Sequence, residues 1–453
     1  MKLSLQSAPL PLLLCRVLCL CLTLFLAGGL HAQAGPATDL RPDETSVSVK
    51  DLLARIERLE KQVAELKQQQ SQFGVGRRGD ELEPGPEALA PAASPPSPVA
   101  GATATPVPGQ SAGVAASPEA LPVPPEAQEA ESSYPNLKIQ GFGDVNFRAD
   151  SARGSNSTFF LGQLVLHMSS TLSPHINVFT ELSFTGSNSD VVAANVERLF
   201  IRYERSDLFK VSFGRFHTPI NYWNTAYHHG AWLQTTALRP EMIVFGGRVL
   251  PNHFLGMLVE GSSPLRGLNF HYDIGLGDGR GNPINQTGNF AINNNRAWLV
   301  NAYVKPRVLG HLRLGGSFYR DKFAVAGSPD YREWIAAANV VLERESPEII
   351  TEFAEIHHQP VGAATGFNSQ AGYVQLAYRL PWFNRQWKPY YRFEYIHTPL
   401  NDLAYQRQPN FIGSILGVRY DISDFAAFKA EYTREQRNPV ESNRVIFQTA
   451  FTF

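Results

Sequence analysis

Val445-Ile446-Phe447-Gln448-Thr449-Ala450-Phe451-Thr452-Phe453 is the last stretch of the chain. In an extended conformation Val445, Phe447, Phe451 and Phe453 share one face, while Arg444, Gln448, Ala450 and Thr452 share the other. An apolar row opposite a polar row suits a strand with hydrocarbon on one side and a wet lumen on the other. Half-buried strands in soluble sandwiches alternate in the same way, so the assignment rests on the remainder of the chain agreeing.

It does agree from residue 134 onward. Leu137, Ile139, Val145 and Phe147 alternate with Lys138, Gln140, Asp144, Asn146 and Arg148. Leu268, Phe270, Tyr272, Ile274 and Leu276 are set against Asn269, His271 and Asp273, and Val374, Leu376, Tyr378 and Leu380 against Tyr373, Gln375 and Arg379. Nothing in this region is an apolar run long enough for a spanning helix. The period of two predicts sixteen strands over residues 134–453, an even number that lets an antiparallel sheet close into a transmembrane β-barrel. Short connections near Leu172–Ile176, Glu204–Asp207, Gly261–Leu265, Leu309–His311, Arg344–Pro347, Pro381–Trp387 and Asp421–Asp424 alternate with longer polar ones, such as Gly279–Asn295 and Thr398–Asn410. Short turns at one rim and long loops at the other are expected of a membrane barrel. Trp382, Phe383, Trp387, Phe451 and Phe453 would form its periplasmic aromatic girdle.

Three segments precede the barrel. Lys2 and Arg16 lead into an apolar run from Val17 to Ala27, and small residues then reach Ala32-Gln33-Ala34. This is the pattern of a cleaved secretory signal over residues 1–34, cut after Ala34 or Ala32; the run is too short for a comfortable membrane anchor. Cys15, Cys19 and Cys21 all lie within it, so the mature chain would have no disulfide framework and no thiolate metal site. In residues 47–70, Val49, Leu52, Ile56, Leu59, Val63 and Leu66 trace the a/d seam of a short coiled coil. A solitary amphipathic helix is the alternative there, because three heptads are marginal alone. β-Branched residues at a with Leu at d favour two strands. Residues 79–133 are rich in Pro, Ala, Gly, Ser and Glu, lack aromatics, and carry only acidic charge from Asp80 to Glu131. Such a segment cannot bury enough apolar surface to fold and reads as a disordered spacer. At about 3 Å per residue it would reach roughly 150 Å.

Residues 35–133 carry 8 basic and 15 acidic side chains, a net of −7; residues 134–453 carry 30 and 26, a net of +4. Neither balance indicates a nucleic-acid partner, which calls for a concentrated basic face. The small positive excess of the barrel is compatible with anion preference.

The longest connection is the third on the long-loop rim, about Arg215 to Leu250. It contains Gly214-Arg215-Phe216-His217-Thr218-Pro219-Ile220-Asn221-Tyr222-Trp223-Asn224, then His228-His229-Gly230 and Leu238-Arg239-Pro240-Glu241. The Gly214-Arg215-Phe216, Thr218-Pro219 and Trp223-Asn224 segments, with Glu197-Arg198-Leu199-Phe200-Ile201-Arg202 and Pro389-Tyr390-Tyr391-Arg392-Phe393-Glu394-Tyr395, resemble the phosphate-selective porin type and its dicarboxylate-porin relatives. Phe451 and the terminal Phe453 also resemble the sorting signal of bacterial outer-membrane barrels. The resemblance covers residues 134–453 well and the coiled coil loosely. It implies a homotrimeric outer-membrane diffusion channel for small hydrophilic solutes, narrowed by its third loop, with the coiled coil and linker in the periplasm. Trimerisation conflicts with the two-stranded preference of the heptads, and the geometry of three tethered barrels would then override it. No phosphate-binding residue of that type maps onto an individual position here.

Alternation turns Arg198, Arg202, Lys210, Arg313, Arg392, Arg419, Lys429 and Arg444 toward the lumen, with Asp144, Glu181, Asp273, Glu394 and Glu431. A lumen of both signs can impose a transverse field on a solute, and guanidinium forks suit carboxylate and phosphate. Each base has a second role open to it, pairing with an acid on the adjacent strand, as Arg392 and Glu394 would with Lys429 and Glu431. In the third loop Arg215, His217, Trp223 and Arg239 either reach the constriction or hold the loop to the wall. His228-His229 and His357-His358 invite a metal reading, but adjacent strand residues face opposite ways and no carboxylate or Cys spacing completes a set, so no metal or other cofactor is expected. No local signature joins a nucleophile to a base, and an enzyme is not expected. The competing function is a structural anchor, the coiled coil and linker reaching toward peptidoglycan.

Overall fold

The computed structural model describes residues 135–453, apart from 153, 187–191, 246–247, 282–293, 326 and 406–409. The expected signal peptide, coiled coil and linker lie outside the described residues.

The strands are β1 (Asn136–Asp150), β2 (Thr158–Ser173), β3 (Ile176–Gly186), β4 (Val192–Ser206), β5 (Phe209–His217), β6 (His253–Ser263), β7 (Phe270–Asp278) and β8 (Ala297–Val304). They continue with β9 (Leu312–Phe323), β10 (Tyr331–Leu342), β11 (Glu348–Pro360), β12 (Phe367–Ala377), β13 (Trp387–His397), β14 (Phe411–Ser423), β15 (Ala426–Arg437) and β16 (Val440–Thr452). Each pairs antiparallel with its sequence neighbours, and β1 pairs with β16, giving a closed sixteen-stranded barrel. Closure leaves no free sheet edge, which is what allows strands to sit in an apolar medium.

The terminal strand alternates as its sequence requires. Phe447, Phe451 and Phe453 are exposed on the outer surface, whereas Gln448, Ala450 and Thr452 are buried inside. At the seam Gly141 N–H donates to Phe453 O at 2.8 Å and Phe453 N–H returns a bond to Gly141 O at 3.0 Å. The Phe453 ring lies directly over Gly141, where an added Cβ would come within 2.3 Å of it. Trp382, Phe383 and Trp387, in and beside the β12–β13 turn, are exposed at the same rim as Phe451 and Phe453.

One rim has tight connections, with two residues each between β2 and β3, β4 and β5, and β14 and β15. The other carries residues 218–252, 279–296 and 398–410. The exception at the long-loop rim is Asn438-Pro439, a two-residue link between β15 and β16.

Alternation is broken once in a way that matters. On β4 the exposed row is Val196 and then Leu199, Ile201 and Tyr203, because the register with β3 passes from Arg198 to Val196 and skips Glu197. This β-bulge sends both Glu197 and Arg198 inward; such insertions commonly re-aim side chains beside functional sites. Opposite it on β5, Gly214 has φ of 145°, and a Cβ there would stand 2.0 Å from Leu199 O. Gly214→Ala is therefore expected to lower the urea midpoint of the barrel by the equivalent of about 3 kcal/mol or more. Equilibrium unfolding in detergent checks this, and an unchanged midpoint would show that the β4–β5 approach can relax.

Candidate functional site: a lumen crossed by the third loop

Residues 218–252 leave β5 at His217 and re-enter the wall at His253. Between them lie one helical turn, α1 (Trp223–Ala226), and short 3-10 turns at Ala231–Leu233 and Glu241–Ile243. The loop folds into the barrel because both it and the wall carry apolar surface that water would otherwise meet. Ile220, Trp223, Met242, Ile243 and Leu250 are buried in one cluster with inward Phe254, Leu299, Ile335, Ile356 and Tyr373. Burial of this kind is worth about 25 cal/mol per Å² and needs no directional partner.

Directional bonds then fix the path. Glu352 on β11 accepts the backbone N–H groups of Tyr222 and Trp223, both at 2.6 Å. Glu431 on β15 accepts Ala237 N–H at 3.0 Å. The basic side chains of this wall serve loop oxygens: Arg392 donates to Thr236 Oγ1 at 2.8 Å, Leu238 O at 2.9 Å and Arg239 O at 3.2 Å. Arg419 donates to Trp232 O at 2.7 Å and Gln234 O at 2.9 Å, and Lys429 to Ala231 O at 2.5 Å and Thr236 O at 3.0 Å. Arg437 holds both oxygens of Glu241, at 2.6 and 2.8 Å. Buried loop carbonyls need such donors, because an unpaired backbone group away from water is costly.

The expected pairing of Arg392 and Glu394 with Lys429 and Glu431 gives way to this clamp. Arg392 binds Glu394 on its own strand at 2.7 Å, while Glu431 takes the Tyr390 hydroxyl and the loop amide. The loop, which strand alternation does not represent, supplies the partners that neighbouring strands were expected to provide. Arg419 also pairs with Asp421 at 2.6 Å, and Arg444 bridges Asp150 and Glu435 at 3.0 and 2.9 Å.

The other four inward bases meet on the opposite side. Arg198, Arg202, Lys210 and Arg313 line a cavity of roughly 130 Å³ with Glu260, Asp273 and the loop residues Pro219 and Thr225. Arg198 is paired with Glu181, and Arg202 with Glu260 at 2.6 Å. Arg313 lies over the Tyr303 and Tyr222 rings, 3.6 and 4.9 Å from their centroids. Among the described residues neither Lys210 nor Arg313 makes an ion pair. Among the described residues the cavity thus holds two cations outside any contact ion pair, Lys210 facing Glu204 and Glu260 across the strand register.

Arg215 and His217 belong to the end of β5 and not to the loop. Arg215 sits opposite Leu199 in the register and donates to Glu197 O at 3.2 Å. Trp223 is fully buried, edge-on to Tyr227 and Tyr373. Arg239 stacks on Phe245 at 3.3 Å and donates to Ile243 O at 3.0 Å and to His228 O, holding the loop to itself.

Two features escape a reading of the sequence. Glu197 faces inward only because of the bulge. His217, His228, His229 and His253 come together at the base of the loop, a ring nitrogen of each lying within 4.8 Å of the others. Burial holds the His228 imidazole well below its usual range, helped by the neighbouring His217, His229 and Arg239, so the ring is neutral. By contrast His358 uses both nitrogens, on Asp402 at 2.6 Å and Glu333 at 3.0 Å.

No family model matches the chain, and no curated protein matches it in sequence. Its fold is similar to that of OmpT, an outer-membrane protein of Vibrio cholerae, in its trimer form: 12% identity, 70% of this chain, 99% of that one, TM-score 0.50. The outer-membrane channel DcaP of Acinetobacter baumannii shows 11% identity over 70% of this chain and 97% of its own, with a TM-score of 0.50. An anion-selective porin from Comamonas acidovorans shows 12% identity over 70% of this chain and all of its own, again at 0.50. At these identities the likeness is one of fold: the closed sixteen-stranded barrel seen in porins.

Proposed function

We propose that this chain is a porin of a bacterial outer membrane, passing small hydrophilic anions through the space between its third loop and the β4–β9 wall. The observation that carries the reading is the cavity beside the loop that Lys210 and Arg313 line, neither of them in an ion pair among the described residues. An outer surface bearing exposed Leu137, Ile139, Phe159, Leu161, Leu199, Ile201 and Leu416 suits contact with lipid, and the charged interior suits water and ions. A guanidinium and an ammonium facing a confined space favour carboxylates and phosphates. The resemblance to the phosphate-selective and dicarboxylate porin types accords with such solutes and with a homotrimer. The chemistry is passage without bond breaking, so no catalytic group is assigned. The coiled coil and linker are placed in the periplasm, with peptidoglycan as the candidate partner there.

The loop is pinned to β11, β13, β14 and β15, which favours a second reading, an anchor whose lumen is closed. Planar-bilayer conductance of the purified protein under a salt gradient separates the two, with phosphate and dicarboxylates added as blockers. Current closing in steps of three with an anion-selective reversal potential is expected. A folded barrel without conductance leaves the anchor.

A further inference from the structure

We infer that His217, His228, His229 and His253 form a binding site for one divalent transition-metal ion of the zinc type, which ties the third loop to its own base. The four rings come from three places that only the fold unites. His217 ends β5 and His253 begins β6, and the two face each other in the strand register. His228-His229 returns from the middle of the loop to that neck, with the His228 ring 3.9 Å from His217 and 4.8 Å from His253 between centroids.

Three observations point to a ligand instead of a plain aromatic stack. None of the four residues is more than 9% exposed; His228 Nε2 is buried with no polar partner, and the Nε2 atoms of the other three meet only carboxylate oxygens, at 2.9–3.5 Å and without hydrogen-bond geometry. Buried polar atoms are ordinarily satisfied, and an orphaned His228 Nε2 among three further buried imidazole nitrogens calls for a common acceptor of lone pairs. Second, the far nitrogens are already committed. Asn224 donates its amide hydrogens to Thr218 O at 2.8 Å and Asn252 O at 2.9 Å, so its Oδ1 can only accept, from His228 Nδ1–H at 2.7 Å. That fixes the tautomer in which His228 Nε2 is a bare lone pair. His229 Nδ1 is likewise set against Gln163 Oε1 at 3.0 Å. Oxygen partners on the non-ligating nitrogen are the usual support of metal-bound histidine. Third, carboxylates stand ready to balance charge. Glu197 Oε2 lies 2.9 Å from His253 Nε2 and 3.4 Å from His229 Nε2, and Glu181 Oε2 lies 3.5 Å from His217 Nε2.

Imidazole sets of this kind suit zinc, copper or nickel and exclude magnesium or calcium. Tetrahedral zinc with bonds of about 2.0–2.1 Å needs nitrogens about 3.3 Å apart, so the rings must close inward slightly on binding. His217 lines the charged cavity, which gives the ion a way in.

The test uses the full chain without a histidine tag, stripped with a chelator and dialysed against zinc alone, with metal content read by atomic emission. About one zinc per chain is expected, with an X-ray absorption edge dominated by imidazole nitrogens. The double variant His228→Ala/His229→Ala should lose that zinc while keeping the heat-modifiable migration of a folded barrel, and His357→Ala should retain it. No zinc above the chelated blank would overturn the inference, leaving the rings to ordered water. Zinc retained by the double variant would also overturn it, as would a wild-type edge showing fewer than three imidazoles, which needs no variant to fold.

Discussion

Arg392→Ala should raise single-channel conductance, because one buried guanidinium holds the middle of the third loop across the lumen. Arg392 is 1% exposed and reaches Thr236, Leu238 and Arg239 through its terminal nitrogens. Bonds from a charged donor contribute about 1.5–3 kcal/mol each, so losing even one shifts a held-to-open loop equilibrium roughly 10–100-fold. The change also strands Glu394, whose contact at 2.7 Å with Arg392 is its ion pair. A buried carboxylate without its partner destabilises the closed arrangement further and draws water in. Neighbouring clamps limit the outcome: Arg419 and Lys429 still hold Trp232, Gln234, Ala231 and Thr236. The segment loosened is therefore Leu238 to Pro240, since Arg437 still holds Glu241, and the triple variant with Arg419→Ala and Lys429→Ala should open further than the single one. Arg392→Lys keeps the charge but not the planar fork and should fall between. The measurement is planar-bilayer conductance on protein shown to be folded by heat-modifiable migration. Conductance equal to wild type in the triple variant would mean that the loop does not set the constriction.

That clamp marks where the sequence stops being informative. The barrel was legible because lipid outside and water inside impose a period of two on every strand, and Phe447, Gln448, Phe451 and Thr452 display it within one strand. Sixteen strands and the alternation of turn lengths followed from the same physics. The loop obeys no period, and its path is set by contacts to residues more than a hundred positions away, such as Glu352 on Tyr222. Hence pairing among Arg392, Glu394, Lys429 and Glu431 was read from neighbouring strands when the loop supplies most of the partners. A single inserted residue had a similar effect at Glu197, since strict alternation cannot place both it and Arg198 inward. The histidines were discounted for want of a local spacing, yet β5 and β6 bring His217 and His253 face to face across the whole loop. The Asn438-Pro439 turn shows the converse, a long-loop position filled by a tight link that length asymmetry alone does not foresee.

If the proposed anion path runs along this cavity, Lys210→Glu with Arg313→Gln should reverse its preference from anions to cations. These are the two cavity cations without an ion pair among the described residues, so altering them breaks no contact pair, although Lys210 faces Glu204 and Glu260 across the strand register. Arg198 and Arg202 are poorer targets, because their removal would take from Glu181 and Glu260 their guanidinium partners inside the wall. Gln is chosen at position 313 because the side chain lies over Tyr303 and Tyr222, and a carboxylate would meet the negative faces of both rings. The cavity's formal charge would fall by three, with Glu260 and Asp273 then dominating its field. Screening acts over about 10 Å at 0.1 M salt and about 3 Å at 1 M, so the effect should be largest in dilute electrolyte and fade as salt rises. Reversal potential across a salt gradient reads the sign directly. An inverted sign that decays with ionic strength places the ion path along β4 to β9. An unchanged sign from a conducting, folded variant would put the path elsewhere in the lumen, and the cavity would then be a pocket beside the channel instead of part of it.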